Sequence, residues 1–258
     1  MDPAGRTALV TGGGTGIGRA VALELARSGA RVGLLGRRPE PIQRVATEIA
    51  SQDGEALPVP CDITDDRQVT SAVAMVRAAL GPIEILVNNA GRAHSAPIGK
   101  VDDVTFDELI ALNVRAVWVM VRAVVGDMRA SGWGRIVNVA SVAAHRGWRY
   151  TAPYTASKHA VGALTRSLAA ELKCDGITVN AVCPGYVDTP IVDRAAQVIA
   201  DRTDRTEAEA RGSLASLNPL GRFVTPEEVA GAVLGLLRPE ASAMAGHSLI
   251  IDGGSQPV

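Results

Sequence analysis

Tyr154 and Lys158 lie four residues apart in a stretch, residues 152–174, whose pattern predicts a helix. A spacing of four places both side chains on one helical face. A phenol titrates at about pH 10, too high for proton transfer at neutral pH, but a nearby ammonium favours the phenolate and lowers that pKa. The pair could therefore move a proton to or from an oxygen atom. The alternative is a tyrosine at the edge of the core and a lysine in solvent, because this spacing also arises by chance.

A glycine-rich turn near the amino terminus has the context of a phosphate-binding loop. The apolar run 7–11 predicts a buried parallel strand, and a helical segment, 19–28, follows the turn. Between them, Gly12, Gly16 and Gly18 have the spacing G-x-x-x-G-x-G. Glycines allow a tight turn and a close approach of the backbone to pyrophosphate, whose charge is favoured at a helix amino terminus. The alternative is a flexible turn without a ligand.

The end of the second predicted strand, 31–36, bears on the choice of dinucleotide. In a dinucleotide-binding fold, an acidic residue at this place holds the 2′-hydroxyl of the NAD ribose. Here Gly36 occupies that place, and Arg37 and Arg38 follow it. A guanidinium pairs well with phosphate, so the sequence favours NADP over NAD. The alternative is that both arginines are solvated and that NAD binds through other contacts.

Asp62 and Ile63 follow the third predicted strand, 56–61. Asp62 is placed to bond an adenine edge. Alternatively, it caps the helix predicted at 65–80. The sequence leaves both roles open.

Amide side chains follow the fourth predicted strand, 83–87, in the segment Asn88 to Gly91. Amides and a glycine at this end of a strand suit a cofactor crevice, although they could equally tie neighbouring strands together. A long amphipathic stretch, 107–129, then contains Asn113 in an apolar setting. Asn113 is either a satisfied amide in the core or a break in the helix that binds water near the site.

The remaining segments complete an alternation of strands and helices. A fifth strand, 134–140, leads to Ser141, and a sixth, 178–183, leads to Pro184 and Gly185. A polar excursion at about 190–220 is expected to be mobile and to cover the site, and a helix at 226–237 and a strand at 248–251 follow it. The alternation predicts an α/β fold in one domain, 1–258, with a doubly wound parallel sheet. Ligands of such sheets lie beyond the carboxyl ends of the strands.

Composition excludes several classes of function. The 258 residues carry a formal charge of −1 with basic and acidic residues well mixed, so no basic stripe for nucleic acid is expected. The three cysteines lack metal or redox spacing, and His159 and His247 show no ligand pattern, so no metal is expected. The chain begins without an apolar signal region and contains no apolar run near membrane-spanning length. We therefore expect a cytoplasmic protein without a membrane partner.

Taken together, these motifs resemble the short-chain dehydrogenase/reductase family, in its single-domain branch with a Rossmann fold. The resemblance runs through the whole chain and rests on the motifs Thr11-Gly-Gly-Gly-Thr-Gly-Ile-Gly18, Asn88-Asn-Ala-Gly91, Ser141, Tyr154-x-x-x-Lys158 and Pro184-Gly185. The interval of thirteen residues from Ser141 to Tyr154 also matches.

The resemblance implies hydride transfer between a nicotinamide cofactor and a ketone or secondary alcohol. It makes Tyr154 the general acid or base, with Ser141 bonded to the same substrate oxygen. Lys158 would hold the ribose hydroxyls and lower the pKa of Tyr154, and Asn113 would anchor a water in a proton relay. The implied cofactor residues are Gly12, Thr15, Gly16, Ile17, Gly18, Arg37, Arg38, Asp62, Ile63, Asn89, Ala90, Gly91, Tyr154, Lys158, Pro184, Gly185, Val187 and Thr189.

The resemblance also bears on partners and substrate. Relatives of this branch are commonly homotetramers, which is our expectation here. Relatives that reduce 3-oxoacyl groups on acyl carrier protein present basic residues, where Gly132 and Asp175 stand in this chain. This departure weakens the carrier-protein assignment without excluding coenzyme A esters or free ketones. The alternatives are a 3-oxoacyl reductase acting on coenzyme A or carrier-protein esters or a 3-hydroxyacyl dehydrogenase of the same family using NAD, and a non-catalytic nucleotide sensor or scaffold. Loop residues expected at the rim of the pocket are His94, His145, Arg146, Trp148 and Tyr150.

Overall fold

A computed structural model describes residues 3–255, which form a seven-stranded, fully parallel sheet with helices on both faces. The strands are β1 (Thr7–Thr11), β2 (Arg31–Gly36), β3 (Ala56–Pro60), β4 (Ile83–Asn88), β5 (Gly134–Val139), β6 (Ile177–Pro184) and β7 (Ser248–Ile251). The helices are α1 (Gly16–Arg27), α2 (Pro39–Ala50), α3 (Asp66–Leu80), α4 (Asp103–Ile110), α5 (Ala116–Ser131), α6 (Ala152–Leu172), α7 (Pro190–Ala200), α8 (Glu207–Ala215) and α9 (Pro226–Leu237). The predicted doubly wound fold is confirmed.

In the strand order β3-β2-β1-β4-β5-β6-β7, the chain first adds β2 and β3 on one side of β1. From β4 onward it adds the remaining strands on the other side of β1, still parallel. In such sheets the connections at this change of side diverge and open a crevice at the carboxyl ends of the strands. The glycine-rich turn after Thr11 and the segment after Asn88 both lie at this point.

The alternation of side chains along the strands builds two cores, one on each face of the sheet. In β1, Val10 belongs to the cluster beneath α1, α2 and α9, which includes Val21 and Val233. Its neighbour Leu9 belongs to the opposite cluster, with Met120 of α5. The residues of the central strands β1, β4, β5 and β6 are almost all buried, as expected for a parallel sheet covered on both faces, whereas most residues of the edge strands β3 and β7 are partly exposed.

A helical run of 29 residues, Asp103–Ser131, joins α4 and α5 through a wider π-helical turn, Ala111–Arg115. By length and composition this run is apolar enough to cross a membrane, so the expectation that no segment approaches spanning length was wrong. Its apolar side chains pack in the protein core instead: Met120, Val124 and Met128 are fully buried against the sheet. The run is explained as a core helix.

The segment after Thr189 contains two helices, α7 and α8, where the sequence predicted an excursion at about 190–220. Thr206 and Glu209 form a capping box at the start of α8, which explains a helix in so polar a stretch. Leu214 is buried, whereas Leu217 and Leu220 are more than half exposed. The mobility of this segment and the domain limits 1–258 stay predictions, and residues 1, 2 and 256–258 lie outside the described residues.

Candidate active site

The predicted catalytic side chains meet at the carboxyl end of β5. Ser141 lies two residues beyond the strand and caps a short 3₁₀ turn, Val142–Ala144, where its Oγ accepts a hydrogen bond from the amide of Ala143 at 3.1 Å. Tyr154 and Lys158 lie one turn apart in α6. The Lys158 ammonium stands 5.9 Å from the centre of the Tyr154 ring. The sequence spacing therefore produces the expected neighbourhood.

Lys158 is anchored to the strand beside it. Its Nζ donates a hydrogen bond to the Val139 carbonyl oxygen at 3.0 Å, and the residue is only 7% exposed. Burial lowers the pKa of Lys158 from 10.5 to about 8. A β-carbon at Gly91 would lie 3.7 Å from this Nζ, so the amide-rich segment after β4 passes close to the ammonium.

The pKa of Tyr154 differs in direction from the sequence-based expectation. Burial raises this pKa above its ordinary value of 10.0, a hydrogen bond with Ser141 opposes the rise, and the nearby Tyr186 adds to it. This direction is opposite to the lowering expected from Lys158, because loss of solvent is the largest contribution, and the effect of Lys158 on Tyr154 stays a prediction. Tyr154 is a protonated phenol at neutral pH, which is the form that can donate a proton.

Asn113 lies in the π-helical turn and is 1% exposed. Its Oδ1 accepts from the Arg92 amide at 3.0 Å, and its Nδ2 donates to the Arg92 carbonyl oxygen at 3.0 Å and to Ser157 Oγ at 2.9 Å. Ser157 in turn donates to the Tyr154 carbonyl oxygen at 2.7 Å. The amide is satisfied by protein groups, as the first alternative predicted, and the helix widens around it; binding of a water by Asn113 stays a prediction.

The glycine-rich turn is held in place by Asn89. Its Nδ2 donates to the carbonyl oxygens of Thr11 and Gly12, at 3.0 and 3.2 Å. The Thr11 hydroxyl accepts from the amides of Asn89 and Ala90, each at 3.0 Å. A β-carbon at Gly18 would lie 2.2 Å from the Gly12 carbonyl oxygen, so only glycine fits where α1 begins. The segment thus ties β1 to β4, which was one of its two predicted roles.

A cavity of about 370 Å³ opens beside this turn, at the end of β2. It is lined by Gly12, Gly14, Thr15, Gly36, Arg37, Arg38, Pro41 and Ile42. Arg37 and Arg38 are exposed, and within residues 3–255 neither is paired with a carboxylate. Two guanidinium groups at the mouth of a glycine-lined cavity suit a phosphate. Sequence reasoning missed Pro41 and Ile42, whose place in the wall depends on the start of α2.

Asp62 and Ile63 lie beyond the end of β3. The Asp62 carboxylate accepts from the amide and hydroxyl of Thr64, at 2.9 and 2.7 Å. Asp65 caps α3 by accepting from the amides of Arg67 and Gln68, so Asp62 as the cap was wrong. Ile63 is 6% exposed and packs into the core.

The loop after β6 meets the glycine-rich turn. The Gly185 amide donates to the Ile251 carbonyl oxygen at 3.0 Å, and Pro184 ends the strand. A β-carbon at Gly16 would lie 3.0 Å from Thr189 Cγ2, which brings the two loops together. Val187 pairs with Val224 in an isolated bridge, and Ile17 packs against the core beneath. Tyr186, which raises the pKa of Tyr154, was not predicted from the sequence.

Four of the expected rim residues, His145, Arg146, Trp148 and Tyr150, lie in the loop between Ser141 and α6, and His94 lies in the segment after β4. Arg146 lies over the ring of Trp148, at 4.8 Å from guanidinium carbon to ring centre, and the Tyr150 carbonyl oxygen accepts from the Ala96 amide at 2.9 Å. His94 keeps a buried Nε2 without a hydrogen-bond partner. Within the described part of the chain, no three His, Cys, Asp or Glu side chains gather as a metal site.

Comparisons with known proteins agree on one family. The family described as short chain dehydrogenase matches residues 6–199. A protein described as a ketoacyl reductase of the monensin polyketide synthase of Streptomyces virginiae is 42% identical over 252 residues, 96% of each chain. A variant of actinorhodin polyketide ketoreductase, solved with NADPH, has a TM-score of 0.94 at 36% identity over 97% of both chains. A protein described as an NAD(P)-dependent gluconate 5-dehydrogenase of Beutenbergia cavernae, with NADP at low occupancy, has a TM-score of 0.88 at 40% identity over 98% of both chains.

Proposed function

Because the chain belongs to the short-chain dehydrogenase/reductase family, we propose that it reduces a ketone to a secondary alcohol with NADPH. Membership makes the chain an NAD(P)-dependent oxidoreductase that acts on CH–OH and C=O groups. The observation that carries the proposal is the meeting of Ser141, Tyr154 and Lys158 at the end of β5, at the same carboxyl edge of the parallel sheet as the arginine-lined cavity at the end of β2.

Tyr154 is the proposed proton donor. Its raised pKa keeps the phenol protonated at neutral pH, so it can give a proton to the carbonyl oxygen as that oxygen gains negative charge. In the reverse direction the phenolate must form first, which becomes easier as the pH rises. The phenolate needed for oxidation is therefore the minor form near neutral pH, and its share grows as the pH rises.

Ser141 and Lys158 are proposed to assist this proton transfer. The Ser141 hydroxyl is the hydrogen-bond partner of Tyr154, and it would donate to the same substrate oxygen and hold it in place. The Lys158 ammonium would bind the ribose hydroxyls and favour negative charge on the phenol oxygen. Asn113 would fix the backbone of Arg92 and the start of α6 through Ser157, and it would anchor the water of a proton relay.

The residues fit a dinucleotide phosphate. The glycine turn places the start of α1 against the crevice, and Gly12, Thr15 and Gly18 would hold the pyrophosphate. Arg37 and Arg38, which lack carboxylate partners within residues 3–255, would pair with the 2′-phosphate. A bound nicotinamide would supply the hydride. The other proposed contacts are Gly16, Ile17, Asp62, Ile63, Asn89, Ala90, Gly91, Pro184, Gly185, Val187 and Thr189.

The proposed substrate is a free ketone or a coenzyme A ester. Several relatives are described as ketoacyl reductases, which favours a 3-oxoacyl group as the second candidate. Asp175 accepts a hydrogen bond from Arg129 at 2.8 Å, and Glu171 lies 3.9 Å from the same guanidinium. This basic residue is therefore already paired with carboxylates, which argues against docking of an acidic carrier protein at this place. The homotetramer and the cytoplasmic location remain predictions.

The proposal is tested by following NADPH oxidation with a panel of cyclic ketones, aryl ketones and 3-oxoacyl coenzyme A esters. We expect turnover with at least one class, and its loss in Tyr154→Phe with NADPH binding retained. A protein that binds NADPH and turns over no carbonyl or alcohol would instead favour the non-catalytic sensor. Preference for NADH with 3-hydroxyacyl esters would favour the NAD-dependent alternative.

A further inference from the structure

Arg211 joins three parts of the chain near the loop that follows β6. It lies in α8, and its guanidinium pairs with Asp188 through Nη2 and with Asp193 through Nη1. Asp188 belongs to the loop, and Asp193 lies in the first turn of α7. The rigid fork of a guanidinium can bind two carboxylates at fixed angles, which an ammonium cannot do. One side chain therefore links α8 to both the loop and α7.

The backbone around Asp188 is held from the opposite side. The Asp188 amide donates to the Val224 carbonyl oxygen at 2.9 Å, and the Val224 amide donates to the Tyr186 carbonyl oxygen at 3.0 Å. The guanidinium of Arg211 lies over the ring of the adjacent Phe223, at 5.0 Å from its centre. Asp188 is thus fixed by its side chain toward α8 and by its backbone toward residues 223–224.

Little apolar surface holds α8 in place. This helix buries only Ala210 and Leu214. They join a small cluster with Val192, Ala196 and Phe223, which is separate from the two cores that flank the sheet. An exposed ion pair contributes little free energy on its own, so it matters most for a segment that is held by few apolar contacts. The ion pairs of Arg211 hold such a segment, α8.

We propose that Arg211 is a positioning residue that fixes the loop Val187–Thr189 and so couples the placement of α8 to binding of the cofactor. The inference rests on the proposed function, which assigns Val187 and Thr189 to the cofactor. Thr189 also packs against Gly16, so a displaced loop disturbs the turn proposed for the pyrophosphate. The pairs of Arg211 lie in the loop and in α7 and do not involve Ser141, Tyr154 or Lys158.

The first test measures binding of NADPH by fluorescence and steady-state kinetics for Arg211→Ala. Loss of the two pairs is expected to raise the Kd of NADPH and the KM of the ketone by about threefold to tenfold, with kcat reduced less than twofold. Arg211→Lys should recover only part of the affinity. Arg202→Ala is the matched control, because it removes a charge from the turn between α7 and α8 where the described residues form no ion pair. Asp188→Asn, which leaves the pair with Asp193, should give part of the loss seen in Arg211→Ala, and the double variant should lose no more than Arg211→Ala alone.

The second test measures amide hydrogen exchange in residues 186–215 without cofactor. Faster exchange in both α8 and the loop at 186–189 in Arg211→Ala, but not in Arg202→Ala, would support the coupling. Unchanged exchange in the loop, or a Kd equal to that of the wild type, would overturn it. If the exchange effect is present but the wild type binds neither NADPH nor NADH, the proposed function fails, and with it the coupling to cofactor. That pattern differs from failure of the Arg211 inference alone, in which the wild type binds and turns over normally.

Discussion

Replacing Lys158 with Met is expected to stabilise the protein while it removes activity. The Lys158 ammonium is 7% exposed, and burial lowers its pKa from 10.5 to about 8. At neutral pH the folded protein carries this charge in a place that disfavours it, whereas the unfolded chain exposes it to water. Met has a similar length and no charge, so it removes the cost without opening a cavity.

The size of the effect follows from two opposing contributions. The difference between the two pKa values, 10.5 and about 8, corresponds to about 3 kcal/mol at about 1.36 kcal/mol per unit. The substitution also removes the hydrogen bond from Nζ to the Val139 carbonyl oxygen, and a buried acceptor without a partner costs about 2 kcal/mol. The expected net gain is about 1 kcal/mol, which raises Tm by about 2–4 °C for a chain of this length.

The pH dependence identifies the cause. Because the pKa of Lys158 is lower in the folded protein than in the unfolded chain, the unfolded chain binds more protons between pH 8 and pH 10.5. The free energy of unfolding of the wild type therefore rises with pH across this window through this group. The advantage of Lys158→Met, about 1 kcal/mol at pH 7, falls as the pH rises and becomes a net loss of about 1 kcal/mol by about pH 10, because the cost of the unpaired Val139 carbonyl oxygen remains.

The assay compares thermal unfolding of both proteins at pH 7 and pH 10 without cofactor, alongside NADPH oxidation at pH 7. Lys173→Met is the control, because Lys173 is exposed in the turn after α6 and its loss should change stability by less than about 0.5 kcal/mol. A Lys158→Met protein that is less stable than the wild type at pH 7, or more stable by the same amount at both pH values, would show that the buried charge of Lys158 does not destabilise the fold.

Three further predictions concern the cofactor site and the proton donor. Arg37→Asp should raise the Kd of NADPH at least about tenfold more than that of NADH, because it replaces a phosphate partner with a like charge; equal losses would contradict the 2′-phosphate assignment. Because burial raises the pKa of Tyr154, alcohol oxidation should accelerate from pH 7 to pH 10 while ketone reduction slows at the alkaline end, and a flat oxidation profile would contradict this. Gly18→Ala should lose NADPH binding, since its β-carbon would meet the Gly12 carbonyl oxygen at 2.2 Å. Gly126→Ala in α5 is the control, because no atom lies within 4 Å of the added β-carbon; it should raise the free energy of unfolding by about 0.5–1 kcal/mol and leave NADPH binding unchanged. Equal NADPH binding by the Gly18→Ala and Gly126→Ala variants would contradict the prediction.

The sheet could be predicted from the sequence because its strands are short apolar runs bounded by glycines and polar residues. The glycine turn and the Tyr154–Lys158 spacing were predictable for the same reason, since local pattern determines them. The predicted strands differ from the observed ones by only a residue or two at their ends, for example at β5, which ends at Val139.

Features that depend on tertiary contacts could not be predicted. The π-helical turn around Asn113 depends on hydrogen bonds to Arg92 and Ser157, which are distant in the chain. The rise in the pKa of Tyr154 depends on the atoms that bury it, which no spacing reveals. The ion pairs of Arg211 join α8 to residues about twenty positions earlier, so a charged stretch gave no sign of its partners.

The role of Tyr154 as proton donor is tested most directly by NADPH oxidation with each ketone of the panel, measured on the wild type and on Tyr154→Phe, together with NADPH binding by both proteins. We predict turnover by the wild type and a loss of at least about 10²-fold in the variant, with the Kd of NADPH unchanged within a factor of two. A variant that reduces the ketone as fast as the wild type would contradict the central claim that Tyr154 donates the proton.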